Sequence, residues 1–205
     1  MLEPQLPEKI RFCEIKGDKV YWDNETPLPY SPMIGTIGTA PELEAIPSTT
    51  LASHGGNMDL PEIGLGTRLY LPVYVPGALL HLGDVHAVQG EAEICGSGME
   101  ITSEVTITIN IIKGKSVNWP RYETPEYLAA VASSCAGTTL EDAIRLAFIE
   151  LIEWLQRDHD FDKWEAYHLL TYVGKVSLGN MWCAAAKFPK AYLRRQLTTP
   201  KRPAG

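Results

Sequence analysis

His54, Asn57 and Asp59 fall within one six-residue stretch, His54-Gly55-Gly56-Asn57-Met58-Asp59. A longer run from Gly83 to Glu93 (GDVHAVQGEAE) repeats those residue types with Asp84, His86, Glu91 and Glu93. Imidazole nitrogens and carboxylate oxygens without a Cys-x-x-Cys pair suit Zn, Mn, Fe or Ca rather than a sulfur-rich structural zinc. Asp84 and His86 stand at i and i+2, as do Glu91 and Glu93, and on an extended segment that spacing puts both side chains on one face. Such a ligand set with an open position lowers the pKa of a bound water and polarises a carbonyl, while a Glu outside the set can act as general base. That is the chemistry an unactivated amide needs. The residue types leave a second reading open, because Asp, Asn and His in Gly-rich loops are also turn formers and hydrogen-bond partners.

Other elements must bring the two clusters together. Thr67 to Val75 (TRLYLPVYV) is rich in β-branched and aromatic residues, so it is expected to be a strand that links two loops of one cavity. Met33 to Ile37 reads as a buried extended segment, and Pro41 to Ser53 as a long surface loop leading into the first cluster. Lys9 to Ile15 and Lys19 to Asp23 form a hairpin signature around Lys16-Gly17-Asp18. Glu100 to Ile112 (EITSEVTITINII) alternates most cleanly and predicts a strand, as do the apolar runs Tyr127 to Ser133 and Val176 to Phe188. Thr138 with Glu141 reads as a capping box, opening a helix whose apolar residues run from Leu140 to Leu155, with Glu141, Asp142, Glu150 and Glu153 on its solvated side. A second helix is expected from Asp162 and Glu165 to near Gly174. His159 and His168 are assigned surface or packing roles, and Cys135 the role of a buried structural thiol. The fold class that follows is α+β, mostly β, with sandwich-like sheets and two helices of the C-terminal half packed on a sheet.

The chain has 205 residues, enough for one domain (1–205) with a sizeable core. A net charge of -7 and a pI near 5.3 argue against nonspecific binding to nucleic acid or anionic membrane. No apolar run approaches the length of a membrane span. Cys13, Cys95, Cys135 and Cys183 are scattered and no secretory apolar region precedes them, so buried reduced thiols and a cytoplasmic location are expected.

Several motifs occur in order: Pro32-Met33-Ile34-Gly35-Thr36-Ile37-Gly38-Thr39-Ala40-Pro41, His54-Gly55-Gly56-Asn57-Met58-Asp59, Leu71-Pro72-Val73 and Gly83-Asp84-Val85-His86-Ala87. Gln89-Gly90, Glu93-Ile94-Cys95-Gly96, Glu100, Lys113-Gly114-Lys115 and Trp119-Pro120 follow. Together they resemble the acetamidase/formamidase family from about residue 8 to about residue 195. The resemblance implies hydrolysis of short aliphatic amides to carboxylate and ammonia, with a bound divalent metal, zinc first and calcium or another ion as alternatives. It implies metal ligation by His54, Asp59, Asp84 and His86, and a catalytic role for Glu93 as base or water-orienting group and for Asn57. Assigning Glu93 to the site requires a bulge or turn at Ala92, with Glu91 pointing away. The expected partners are a small amide and further copies of the chain.

The sequence departs from the family pattern in three places. Members carry a substantial portion ahead of the Pro-Met-Ile-Gly segment, so a partner chain supplying it is one expectation, and a noncatalytic or split-enzyme subunit is the alternative function. Gly90-Glu91-Ala92-Glu93 stands where the family tends to read Gly-Asp-Gly-Glu. Lys175 and Asn180 stand where an acid and a glutamine are expected.

Overall fold

The computed structural model describes residues 6, 9–134 and 137–193. The strands are β1 (Glu14–Lys16), β2 (Lys19–Asp23), β3 (Thr26–Pro29), β4 (Met33–Gly38), β5 (Leu51–Ala52), β6 (Gly55–Asn57), β7 (Arg68–Tyr70), β8 (His81–His86), β9 (Arg121–Glu123), β10 (Tyr127–Ser133), β11 (Lys175–Leu178) and β12 (Cys183–Pro189). Two helices, α1 (Leu140–His159) and α2 (Lys163–Val173), lie between β10 and β11 in sequence. The strands form three antiparallel sheets, ordered β1-β2-β3, β11-β12-β10-β9-β7 and β5-β6-β4-β8. The architecture is α+β, as expected.

The five-stranded sheet is buried on both faces. Along β10, Leu128, Ala130 and Ala132 join Leu151, Leu155 and Phe188 in a core under α1. Their neighbours Ala129 and Val131 turn the other way and pack with Ile37, Leu51, Met58 and Leu60 of the four-stranded sheet and its loops. Two-sided burial explains why β10 reads as a continuous apolar run instead of an alternation. The alanines of β10 and β12 carry almost no side chain above Cβ, so a helix and a second sheet can both close on this layer. No described helix is long and apolar enough to cross a membrane.

Several elements differ from the sequence expectations. The strand expected over Thr67 to Val75 is cut to Arg68–Tyr70 and pairs with β9 in the five-stranded sheet. Pro72 and Pro76 follow it, and proline gives a ladder no N–H. Glu100 to Ile112 is not a strand: Glu100 makes one bridge to His86, Ile101 donates to the Val85 carbonyl, and Ile107, Ile109, Ile111 and Ile112 are exposed. Val176 to Phe188 is a hairpin of β11 and β12 with a turn between, not one strand. The cap of α1 is one residue later than expected: the Thr139 side chain accepts from the Asp142 N–H and the Asp142 carboxylate accepts from the Thr139 N–H.

Glu150 was expected on the solvated side of α1 but is buried, 2.6 Å from Arg121. Arg121 is itself 1 % exposed, and its charge accounts for the burial of an acid on the helix's inner face. Cys95 is exposed and Cys13 partly so, against the expectation of buried thiols, whereas Cys183 is buried. Cys135 lies outside the described residues.

Candidate functional site

Strand β4 does the work the sequence assigns to Thr67 to Val75. It pairs with β6 on one side, Thr36 opposite Asn57, and with β8 on the other, Met33 opposite His86 and Thr36 opposite Gly83. The His54-to-Asp59 loop and the Asp84–His86 strand therefore flank one central strand. Gly35 lets them meet: a Cβ there would stand 2.5 Å from Asp59 Oδ1 and 2.7 Å from Asp84 Oδ2. The space over Gly35 belongs to two carboxylates.

Two overlapping groups result. Ligand atoms of Asp59, Asp84 and His86 all lie within 4.8 Å of one another, and so do those of His86, Glu93 and Glu100. His86 is 1 % exposed, with Nε2 3.1 Å from Glu100 Oε1 and 3.3 Å from Asp84 Oδ1. Asp59 is fully buried; its Oδ2 accepts from Asn180 Nδ2 at 2.9 Å, while its Oδ1 has no hydrogen-bond partner. Thr36 Oγ1 lies 2.7 Å from Asn57 Oδ1 and 3.0 Å from Asp84 Oδ2. A hydroxyl has one proton, so both contacts are satisfied when the Asn57 amide is turned to donate to Thr36 and Thr36 donates to Asp84.

The backbone is held unusually at these positions. Asp59, Asp84 and Glu93 have φ of +49°, +59° and +43°, and Ala92 has +68°. Non-glycine residues rarely adopt this left-handed region, and such strain gathers where a side chain must be aimed. Consecutive left-handed residues at Ala92 and Glu93 make the turn that carries Glu93 toward His86, while Glu91 is exposed.

Electrostatics at the cluster are unbalanced: four carboxylates surround one imidazole. Burial pushes the Glu93 carboxyl up to about 7, with Asp59 adding to the rise and His86 opposing it. Burial also raises Asp59 and Glu100, helped in each case by Asp84. Burial pulls His86 down, but Glu100, Gln89, Asp84 and Asp59 together raise it. Asp59, His86, Glu93 and Glu100 are all shifted toward the protonated form, the response of an acidic cluster short of positive charge. The orphaned Asp59 Oδ1, the cradle over Gly35 and the mixed nitrogen and oxygen donors fit a divalent cation.

A cleft of about 470 Å³ opens beside the cluster, with Thr36, Asn57, Asp84, Glu93 and Glu100 on its wall. Ser48 and Thr49 of the loop before β5 and His81 of β8 also line it. His54 belongs to neither carboxylate group among the described residues. It is buried, its Nδ1 has no partner, and its ring lies 6.3 Å from that of His81. Burial, and then His81, hold its pKa down.

Three contributors were not picked out from sequence. Glu100 opens a run that alternates as a strand does, although its place among the ordered motifs is a signal. Gln89 lies in an ordered motif that assigns it no role, and Asn180 stands out in the sequence only as a departure from the family pattern. Amides carry no charge and no diagnostic spacing, so only the fold reveals them.

The family model of the Acetamidase/Formamidase family matches residues 26–179, a span that holds every site residue named above except Asn180. The chain belongs to that family. The crystal structure of an acetamidase from Yersinia enterocolitica is 45% identical and superposes with a TM-score of 0.89, covering 93% of this chain and 58% of that one. An acetamidase from Bacillus halodurans is 36% identical with a TM-score of 0.82, covering 88% of this chain and 61% of that one. A formamidase from Methylophilus methylotrophus is 42% identical over 62 residues, 29% of this chain and 15% of that one. The acetamidase/formamidase chain described here thus spans less than two thirds of the length of each of these relatives.

Proposed function

We propose that this chain carries a metal-assisted amidase centre that hydrolyses a short aliphatic amide, of the formamide and acetamide class, to the carboxylate and ammonia. The observation that carries this reading is the convergence of Asp59, Asp84 and His86 beside a cleft that also holds Glu93, in a chain of this family. Relatives named acetamidase and formamidase support the substrate class.

Asp59, Asp84 and His86 would hold the ion, with Glu100 near enough to join them. His54, outside both groups, is left out of this set. An imidazole among the donors favours zinc over calcium, which takes oxygen ligands. A divalent ion bound there polarises a carbonyl and makes water acidic near neutral pH. The remaining chemistry falls to the chain's own groups. Glu93, on the wall of the cleft, takes a proton from the water whose oxygen bonds to the amide carbon and returns it to the amide nitrogen as the C–N bond breaks; the ammonia that leaves takes up the last proton of the carboxylic acid, giving carboxylate and ammonium. Asn57 and Thr36, on the same cleft wall, orient the amide. A small neutral substrate is indifferent to the acidic net charge of the protein.

Purified protein incubated with formamide or acetamide is expected to release ammonia and carboxylate in equal amounts, and to stop when a chelator strips the metal. Folded protein that binds zinc but releases no ammonia from either amide would overturn the catalytic reading and leave a metal-binding module with an amidase fold.

A further inference from the structure

His86 faces two carboxylates with one ring nitrogen and a side-chain amide with the other. Nε2 lies 3.1 Å from Glu100 Oε1 and 3.3 Å from Asp84 Oδ1, and Nδ1 lies 2.7 Å from Gln89 Oε1. Which nitrogen carries the proton decides whether Nε2 has a lone pair to give. The amide of Gln89 answers this through its far end. Gln89 Nε2 donates to the Asp59 carbonyl at 2.6 Å and is 3.3 Å from the Gly179 carbonyl. Turning the amide over would set Oε1 against two acceptor oxygens, so the oxygen must face His86. The ring is pinned as well, since a Cβ on Gly98 would overlap its Nδ1 and Cγ atoms.

We infer that Gln89 is a positioning residue that locks neutral His86 in the Nδ1–H tautomer and so reserves Nε2 as a bare donor aimed at the carboxylate cluster. The opposite tautomer would bring the Nδ1 lone pair against the Gln89 oxygen at 2.7 Å. Gln89 cannot turn away without giving up its bonds to the loop that carries Asp59 and to the turn after β11. Of the groups facing Nε2, Asp84 is held by Thr36, whereas the nearer Glu100, with a side chain 53% exposed, is free to swing toward water when no cation lies between it and the ring. The rigid side of the imidazole therefore sets the tautomer, and the mobile side adapts. Metal-ligating histidines generally have the far nitrogen fixed in this way, which orients the ring and raises its donor strength. Here one amide also ties His86 to the backbone of a second candidate ligand, Asp59, so both are placed by the same side chain.

The consequence for zinc affinity rests on the metal-centre reading, but the tautomer does not, and the experiment separates the two. Metal-free protein labelled with ¹⁵N in its histidines is studied by long-range ¹H–¹⁵N correlation at a pH where imidazole is neutral, with the His86 signals assigned from a His86→Asn variant. The native protein is expected to show a protonated-type shift at Nδ1 and a bare-type shift at Nε2. Gln89→Met fills similar space without an acceptor and should move the proton to Nε2, where two carboxylates accept it, and weaken zinc binding by about 10–100-fold in a calorimetric titration. A native spectrum with the proton on Nε2, which needs no variant to fold, overturns the inference. So does a folded Gln89→Met protein with an unchanged tautomer. A shifted tautomer in a protein with no amidase activity would sustain this inference while the catalytic reading failed.

Discussion

Asn180 Nδ2 donates to Asp59 Oδ2 at 2.9 Å across 121 residues of sequence, and to the Asn57 carbonyl at the same distance. The bond lowers the Asp59 carboxyl, which burial and Asp84 push up. It leaves Oδ1 without a partner, over Gly35 beside Asp84 Oδ2.

Replacing Asn180 by Leu should therefore strip the buried carboxylate of its donor. Metal-free Asn180→Leu is expected to lose about 1–3 kcal/mol of stability in urea denaturation, the penalty of an unsatisfied buried group. Its zinc affinity should fall in parallel. Unchanged stability would mean that Asp59 finds another donor.

Much of this scaffold is legible in the sequence, but the site is legible only in part. The run Tyr127 to Ser133 is strand β10 to the residue, and Asp162 caps α2, because in both cases the deciding physics is local or is carried by one residue type. Ile107, Ile109 and Ile111 alternate as strand residues do, yet a strand needs a backbone partner, and among the described residues 102–112 has none. Alternation records a preference and pairing is a tertiary fact. His54 carries the family motif but joins neither carboxylate group among the described residues, whereas Gln89 and Asn180 act through hydrogen bonds to backbone and carboxylate that no spacing announces.

Gly35→Ala tests how tightly the two loops close. The added methyl would stand 2.5 Å from Asp59 Oδ1, inside van der Waals contact, so Asp59 and Asp84 must part. The variant is expected to fold with a loss of about 1–3 kcal/mol and to bind zinc weakly. Native zinc affinity measured by calorimetry would contradict this placement.

The pH dependence has a definite sign. Glu93 titrates near 7 in the folded protein, above its ordinary 4.5, because burial and Asp59 disfavour its charge. The folded state then binds more protons than the unfolded state between those values, so metal-free stability should fall as pH rises from about 4.5 to about 7. Asp59, Glu100 and His86, raised as well, add slope of the same sign, so Glu93→Gln should flatten the dependence without abolishing it, as denaturation at several pH values would reveal. The same variant should lower kcat about 10²–10⁴-fold on formamide.

Arg121 and Glu150 make a buried ion pair apart from the site, with Arg121 also 5.2 Å from the centre of the Trp154 ring. Glu150→Ala should cost about 3–5 kcal/mol, since it leaves a buried guanidinium without its counterion. Arg121→Met with Glu150→Leu should recover most of that loss. A shift of the urea midpoint with an unchanged slope is the expected readout.

In the proposed function one ion, held by Asp59, Asp84 and His86, would make this chain an amidase. This claim is tested most directly by titrating metal-stripped protein with zinc while recording ammonia release from formamide. The expected curve rises linearly and breaks at one equivalent, and the His86→Ala protein stays flat throughout. Stripped protein as active as zinc-loaded protein, or an unaffected His86→Ala protein, would contradict the claim.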